Sequence, residues 1–294
     1  MGEILDILSD ALWDSLRVFP FLFLMYVLIE LLERRTAVTR QSNVLRGGLA
    51  PLLGAATGII PQCGFSVMAA KLYDRRLIRT GTLLSVFIAT SDEAIVLLLT
   101  AGDGSKAFSV MPLVAILFVT ATGAGYLCNA LLHREKLAEL GEGESVHGTR
   151  CGHDHEEDGA LRRYLVHPLL HALEIFAYIL AVNIAFGFAM HYASGAISAF
   201  LQGGYWFQPL VAAAVGLIPN CAASVLVSQA YVLGGLSFGG LVAGVCANAG
   251  LGFLLLFKNA KKIGRTFAVL AVMYAVGVAA GYLVLGGMQL FAPA

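Results

Sequence analysis

Two adjacent carboxylates lie near the middle of the long apolar segment 80–100, which, like 238–257, we expect to form one helix. Asp92 and Glu93 are the only charged residues between 80 and 100. A charged side chain at the centre of a bilayer costs at least ~2.5 kcal/mol, so it must face a cavity or a charged partner. We therefore expect the pair to bind a cation or accept a proton, although only one should face the site directly, since adjacent helix positions point ~100° apart. The alternative is a structural pair near a helix end, bonded to Lys71 or to an arginine.

Two Pro-x-Cys motifs supply the second group of candidate ligands. Pro61-Gln62-Cys63 and Pro219-Asn220-Cys221 interrupt two long apolar segments. Carboxylate, amide oxygen and thiolate together suit a borderline or soft cation. The alternatives are that the cysteines are small packing residues and that Gln62 and Asn220 cap half-helices. The predicted substrate-binding residues are Asp92, Glu93, Gln62, Cys63, Ser66, Thr90, Ser91, Asn220, Cys221, Ser224 and Asn248; of these, Asp92, Glu93, Cys63 and Cys221 are predicted to ligate the metal.

A third group of candidate ligands lies in the polar stretch 133–167. Its Gly-rich, highly charged composition predicts a disordered loop rather than a folded domain. Imidazole and thiolate are the ligands that zinc-like ions prefer, so the stretch is predicted to bind metal as an accessory chelator. The alternative is an ordinary solvated linker. The predicted ligands of the loop are His147, Cys151, His153 and His155.

The composition assigns these residues to a membrane protein. Of the 294 residues, 58% are hydrophobic and 13% are charged, against roughly 25% charged in a soluble globular domain. The formal net charge of zero argues against a nucleic-acid partner. Most of the apolar stretches have the ~20 residues that a helix needs to cross a bilayer. These stretches are 12–33, 47–73, 80–100, 108–132, 168–190, 205–232, 238–257 and 266–290.

The charge distribution distinguishes two topologies for the broken segments 47–73 and 205–232. If each is a re-entrant hairpin of two half-helices, sixteen loop Lys and Arg residues lie on one side of the membrane and only Lys106 on the other. If each is a single kinked span, the same residues divide nine against eight. Because cytoplasmic loops carry an excess of basic residues, the hairpins are favoured. This topology puts both termini outside and the 133–167 loop in the cytoplasm.

The two halves of the chain match each other without a gap at an offset of 158 residues, and further along an offset of 156 aligns Gly125-Tyr126-Leu127 with Gly281-Tyr282-Leu283. The shared pattern Gly-x-Ile-Pro-x-Cys-x-x-Ser starts at Gly58 and again at Gly216. The topology above starts the first half outside and the second half in the cytoplasm, so the repeats are inverted and the two hairpin tips meet near the midplane. We therefore predict an all-α polytopic membrane protein with membrane repeats at 1–132 and 168–294, joined by the 133–167 loop. Inverted repeats with broken central helices are typical of secondary transporters.

The paired Pro-x-Cys tips, the segment Ser91-Asp92-Glu93-Ala94 and the His- and acid-rich central loop resemble the ten-helix heavy-metal exporters. That family is also labelled arsenic-efflux-like or manganese transporter. The resemblance covers nearly the whole chain when each half-helix is counted as one segment. It implies export of a metal or metalloid ion.

Together these features predict a transporter of the bacterial-type inner membrane. We expect it to export a heavy-metal or metalloid ion, such as Mn, Zn or arsenite, by proton-coupled alternating access. The alternatives are an ion channel or a transporter of an oxyanion or small organic solute; a membrane-embedded enzyme is disfavoured because no familiar catalytic motif is present. The expected partners are the metal ion and the lipid bilayer, without a resident cofactor, and a homo-oligomer is compatible with the sequence.

Overall fold

The computed structural model of the chain describes residues 47–60, 64–74, 76–90, 92–100, 107–132, 204–219, 221–257 and 263–291, with isolated helical positions between 8 and 23 and between 169 and 188. The described helices are α1 (Ala50–Gly58), α2 (Gly64–Asp74), α3 (Thr80–Ala89), α4 (Asp92–Thr100), α5 (Val110–Leu131), α6 (Gln208–Gly216), α7 (Cys221–Val232), α8 (Phe238–Ala247), α9 (Gly252–Phe257) and α10 (Ile263–Phe291). No strand is assigned within these ranges.

Proline explains both ends of the two short helices α1 and α6. Each helix has proline in its first turn, where the missing N–H would have no helical partner anyway. Each ends shortly before a second proline, Pro61 or Pro219, because the residue preceding a proline is biased away from the helical conformation. The predicted broken segments 47–73 and 205–232 therefore each contain two helices.

Four stretches of the described chain are long and apolar enough to cross a membrane. The described residues of Thr80–Thr100 and Phe238–Phe257 are mostly buried, whereas those of Val110–Leu131 and Ile263–Gln289 are mostly not. The first two therefore form the centre of the bundle. The other two carry large exposed apolar side chains, such as Met111 and Leu283, which suit a lipid-facing position. The prediction of an all-helical polytopic membrane protein is confirmed, because the described elements are helices and four stretches can cross a membrane.

The two central stretches are not continuous helices, and the expectation of unbroken helices over 80–100 and 238–257 was wrong. Helix α3 stops at Thr90, whose backbone is extended (ψ 119°). Helix α8 stops at Asn248, with ψ 112°. In the second break Gly250 has φ +55°, a left-handed conformation that glycine adopts without steric cost. Asp92 therefore lies at the start of a half-helix, α4, and not in the middle of a long one.

The same pattern of helix packing occurs twice along the chain. Helix α3 packs against α1 and α5 in the first half, and α8 packs against α6 and α10 in the second. The second helix of each broken segment packs on the opposite half: α2 contacts α9, and α7 contacts α4. The described contacts therefore recur at the offset found in the sequence, whereas the inverted orientation in the membrane stays a prediction.

Glycines allow close helix approaches at corresponding places in both halves. A Cβ on Gly125 would lie 2.8 Å from the carbonyl oxygen of Gly81, which belongs to α3. A Cβ on Gly281 would lie 2.7 Å from the carbonyl oxygen of Gly239, which belongs to α8. Real Cβ atoms do not approach this closely, so α5 and α10 sit against the central helices backbone to backbone. This contact holds the broken helices in place.

Candidate functional site

The candidate site lies where the second helix of each proline-broken segment packs against one of the two interrupted central helices. Helix α2 begins one residue after Cys63 and packs against α9, and helix α7 begins at Cys221 and packs against α4. Helix α4 itself begins at Asp92. The chain therefore brings α7, which begins with its cysteine, and α4, which begins with its acidic pair, into one crossing.

The crossing of α2 and α9 is closed by direct backbone contact. Ser66 is fully buried, and a Cβ on Gly252 would collide with the carbonyl group of Ser66. A Cβ on Gly250 would lie 3.8 Å from the Ser66 hydroxyl oxygen. This places the predicted binding residue Ser66 beside the break in the central helix of the other half.

Helix α7, which packs against α4, is polar along one face. Ser224 and Ser228 of α7 are buried, and four positions separate them, so they lie on the same face one turn apart. Tyr231, seven positions after Ser224, shares a 2.9 Å hydrogen bond with the hydroxyl of Ser109. Ser109 immediately precedes α5, beyond the C-terminal end of α4. The buried hydroxyls of α7 therefore lie on one face of that helix, whose C-terminal end reaches the start of α5.

Both breaks in the central helices are held by their own side chains. The Thr90 hydroxyl donates to the carbonyl oxygen of Val86 at 2.7 Å. The Asn248 side-chain oxygen accepts from the backbone N–H of Gly250 at 2.9 Å. Thr90 and Asn248 are buried, and these bonds give each a local role in shaping the interrupted backbone. Their role as direct ligands stays a prediction.

Several predicted ligands have no described side chain. Gln62, Cys63, Ser91 and Asn220 lie outside the described residues, as do the loop residues His147, Cys151, His153 and His155. For Asp92, Glu93 and Cys221 only the helical backbone is described. In the described part of the chain no three His, Cys, Asp or Glu side chains cluster around a possible metal position. The predicted metal ligands therefore remain predictions.

The sequence interpretation missed Ser228. This side chain is 0% exposed, and its hydroxyl oxygen has no hydrogen-bond partner among the described residues. The repeat alignment contained a signal, because the residue 158 positions earlier is Ala70. A polar residue that appears in only one of two matched halves breaks the symmetry of the repeat.

A groove of about 580 Å³ opens elsewhere, between the C-terminal ends of α2 and α5 and the N-terminal parts of α3 and α10. Its lining includes Tyr73, Leu84, Cys128 and Val269, together with the charged residue Arg265. Tyr73 lies ten residues beyond Cys63, which is ~15 Å along a helix. The groove is therefore separate from the crossing at the start of α2.

A bundle of apolar helices whose two central members are interrupted at buried polar residues defines a multi-pass membrane protein with an internal polar region. The chain belongs to the family described as "Putative, 10TM heavy-metal exporter", whose model matches residues 2–201 and 160–289. The family resemblance noted from the motifs is thereby confirmed, and it makes a metal ion the class of substrate. No curated protein and no solved structure matches the chain.

Proposed function

We propose that the protein exports a heavy-metal or metalloid ion from the cytoplasm as a secondary-active transporter, by alternating access coupled to protons. The observation that carries this proposal is the reciprocal packing of α2 on α9 and of α7 on α4. Discontinuous helices that meet between two repeats are the arrangement from which secondary transporters build their binding sites. Irregular backbone at such a depth survives only where protein or a water-filled cavity satisfies its polar groups.

The charge of the residues at the crossings favours a cation as the cargo. Helices α1 and α6 end at the Pro-x-Cys motifs with their C-terminal carbonyl groups, which favour cations. Helices α2 and α7 begin there with their N-terminal amides, which favour anions. Asp92 and Glu93 decide between the two, since the segment 80–100 contains no Lys or Arg. A divalent cation such as Mn²⁺ or Zn²⁺, or neutral arsenite bound by thiols, therefore suits the site better than an oxyanion.

The transport assay that tests this proposal uses purified protein in lipid vesicles. Uptake of Mn²⁺, Zn²⁺ or arsenite should saturate with concentration and should depend on an imposed pH gradient. Protein-free vesicles provide the control for leakage. Current that rises in proportion to voltage without saturation would instead identify a channel. Transport of an oxyanion with no effect of these three species would contradict the proposed cargo.

The proposed topology follows from the charge count, and the recurring helix contacts support the repeat on which it depends. Cysteines introduced at 101–107 and 233–237 should react with an impermeant reagent from outside. Cysteines at 75–79, 145–155 and 258–265 should react only after the membrane is opened, because basic loops stay in the cytoplasm. Labelling of 75–79 from outside would contradict both the hairpins and the inverted repeat.

The loop ligands His147, Cys151, His153 and His155 have an accessory role in this proposal. A tethered chelator raises the local concentration of an ion near the site that transports it. The transport site itself lies in the membrane, so the loop affects efficiency at low ion concentration. The same proposal assigns no catalytic activity to the protein, and it is compatible with a homo-oligomer.

A further inference from the structure

The groove between α2, α3, α5 and α10 has a charged end and an apolar wall. Arg265 is the one charged side chain among the described residues of its lining, and it is exposed in the first turn of α10. Val272, a further lining residue, lies seven positions along the same helix, which is ~10 Å. Leu84, Leu131 and Val269 also belong to the lining. The groove therefore suits an amphipathic molecule with one charged group.

The charged end of the groove lies at a surface of the membrane. Three of the stretches that can cross a bilayer contribute their ends to the lining: Thr80 begins one, Leu131 ends another, and Arg265 is the third residue of the last. Lipid headgroups lie at this level, and the hydrocarbon core begins beyond it. A molecule that binds both Arg265 and Val272 therefore extends from the headgroups toward the hydrocarbon.

Positive charge predominates near this end of the groove. Segment 71–79, which contributes Tyr73 to the lining, contains three described cations and one described carboxylate: Lys71, Arg76, Arg79 and Asp74. The Nε of Arg79, next to the lining residue Thr80, is buried and has no hydrogen-bond partner within the described ranges. Because like charges repel each other, these residues and Arg265 favour an anion here over a cation such as the proposed cargo.

The matching place in the repeat has different residues at the key positions. Tyr231 matches Tyr73 at the offset of 158 residues, and Ser109 matches Arg265 at the offset of 156. Tyr231 and Ser109 share a 2.9 Å hydrogen bond, and the Tyr231 ring lies 5.9 Å from that of Phe238, which matches Thr80. A small side chain and a guanidinium therefore stand at the groove where the other place has a ring and a hydroxyl that contact the tyrosine. These differences are not required by the helix packing that the two places share.

We propose that this groove binds one anionic phospholipid, with the headgroup phosphate on Arg265 and an acyl chain along Leu84, Val269 and Val272. A guanidinium presents its N–H donors in a planar fork that matches the oxygens of a phosphate. Basic pockets between membrane helices on the cytoplasmic side bind anionic headgroups, and the proposed topology puts this groove on that side. A free phosphate would contact only the charged end, whereas a phospholipid also covers the apolar wall.

The first test measures the unfolding temperature of the purified full chain in uncharged detergent while short-chain phosphatidylglycerol is added. Phosphatidylglycerol should stabilise the wild type at lower concentrations than phosphatidylcholine, which has no net charge. In Arg265→Gln the phosphatidylglycerol concentration that gives half of the stabilisation should rise about tenfold or more, because a hydrogen bond to a charged group is lost. Arg76→Gln removes an exposed cation outside the lining and should leave that concentration unchanged.

Cys128 reports whether the lipid lies in the groove, since it is a half-buried residue of the lining. Phosphatidylglycerol should slow alkylation of Cys128 by a maleimide, measured on its peptide by mass spectrometry, and should do so much less in Arg265→Gln. Ala268→Phe adds a ring from an exposed position of the lining, so it should weaken phosphatidylglycerol binding while Arg265 is intact. Ala275→Phe, from an exposed position of the same helix outside the lining, should not.

Three results would overturn the inference. Equal stabilisation by the two lipids, or an equal response of wild type and Arg265→Gln, would show that Arg265 does not hold an anionic headgroup. Stabilisation without protection of Cys128 would place the lipid outside the groove. Inorganic phosphate that stabilises the protein as effectively as phosphatidylglycerol would identify free phosphate as the ligand. If Arg265→Gln is unstable without lipid, the comparison of Ala268→Phe with Ala275→Phe decides, and equal lipid responses of these two variants would contradict the groove.

Discussion

Gly125→Ala is expected to unfold the first half of the bundle at temperatures where the wild type is stable. A Cβ at this position would collide with the Ser85 hydroxyl and would lie 2.8 Å from the carbonyl oxygen of Gly81 and 3.0 Å from the Pro51 side chain. Overpacking costs typically ~1–3 kcal/mol. We expect the upper end of that range, because backbone atoms of α3 must move. The measurement is the unfolding temperature of the purified protein in detergent.

Gly123→Ala is the matched control, on the same helix two residues earlier. Gly123 is exposed, and a Cβ there would meet no atom within 4 Å. Alanine is a better helix former than glycine by ~1 kcal/mol, so this variant should be as stable as the wild type or slightly more so. Equal stability of the two alanine variants would contradict the close contact between α3 and α5.

The second half contains the same test at Gly281. A Cβ there would lie 2.7 Å from the carbonyl oxygen of Gly239, whereas one on Gly286 would meet nothing within 4 Å. Gly281→Ala should therefore destabilise the protein and Gly286→Ala should not. Gly125→Ala and Gly281→Ala should lower the unfolding temperature by similar amounts if both halves depend equally on the close contact with the central helix.

The broken segments and the recurrence of the helix contacts could be predicted from the sequence because their signals are strong. Proline removes a hydrogen-bond donor and restricts the residue before it, so Pro61 and Pro219 mark helix ends in any context. The offset of 158 residues could be read from the shared motif. The equivalent glycine contacts at Gly125 and Gly281 then follow from the repeat, once α3 and α8 are known to lie at the centre.

The interruptions at Thr90 and Asn248 could not be predicted in the same way. Neither position carries a proline, and the polar residues Ser91, Asp92 and Glu93 after Thr90 indicate candidate ligands rather than a helix break. The side-chain bonds at the breaks are local: the Thr90 hydroxyl donates to the carbonyl oxygen of Val86, and the Asn248 side chain accepts from the N–H of Gly250. Serine, threonine and asparagine make such bonds both inside helices and at helix ends, so these residue types alone do not mark a break. Ser228 could not be singled out from the sequence, because a single serine in an apolar helix is common. Only the structure shows that this side chain is buried and that its hydroxyl has no partner among the described residues.

Asp92→Asn and Glu93→Gln are expected to separate the transport role of the acidic pair from its structural role. Both substitutions keep the shape of the side chain and remove the charge. One of them should reduce export by about 100-fold or more, since removing one partner of a buried charge pair costs ~3–5 kcal/mol and every ~1.4 kcal/mol is a factor of ten. Export into vesicles and the amount of folded protein in the membrane should be measured together. Full activity in both variants would mean that the pair is structural.

Cys63→Ser and Cys221→Ser then distinguish the class of ion. Serine keeps nearly the size of cysteine and replaces a soft ligand by a hard one. A soft or borderline cargo, such as arsenite, Cd²⁺ or Zn²⁺, binds thiolate strongly, so both substitutions should then cripple export. A hard cargo such as Mn²⁺ prefers carboxylate and carbonyl oxygens, and export should then fall only slightly. The second result would leave the acidic pair, with the hydroxyl and amide oxygens predicted beside it, as the ligands.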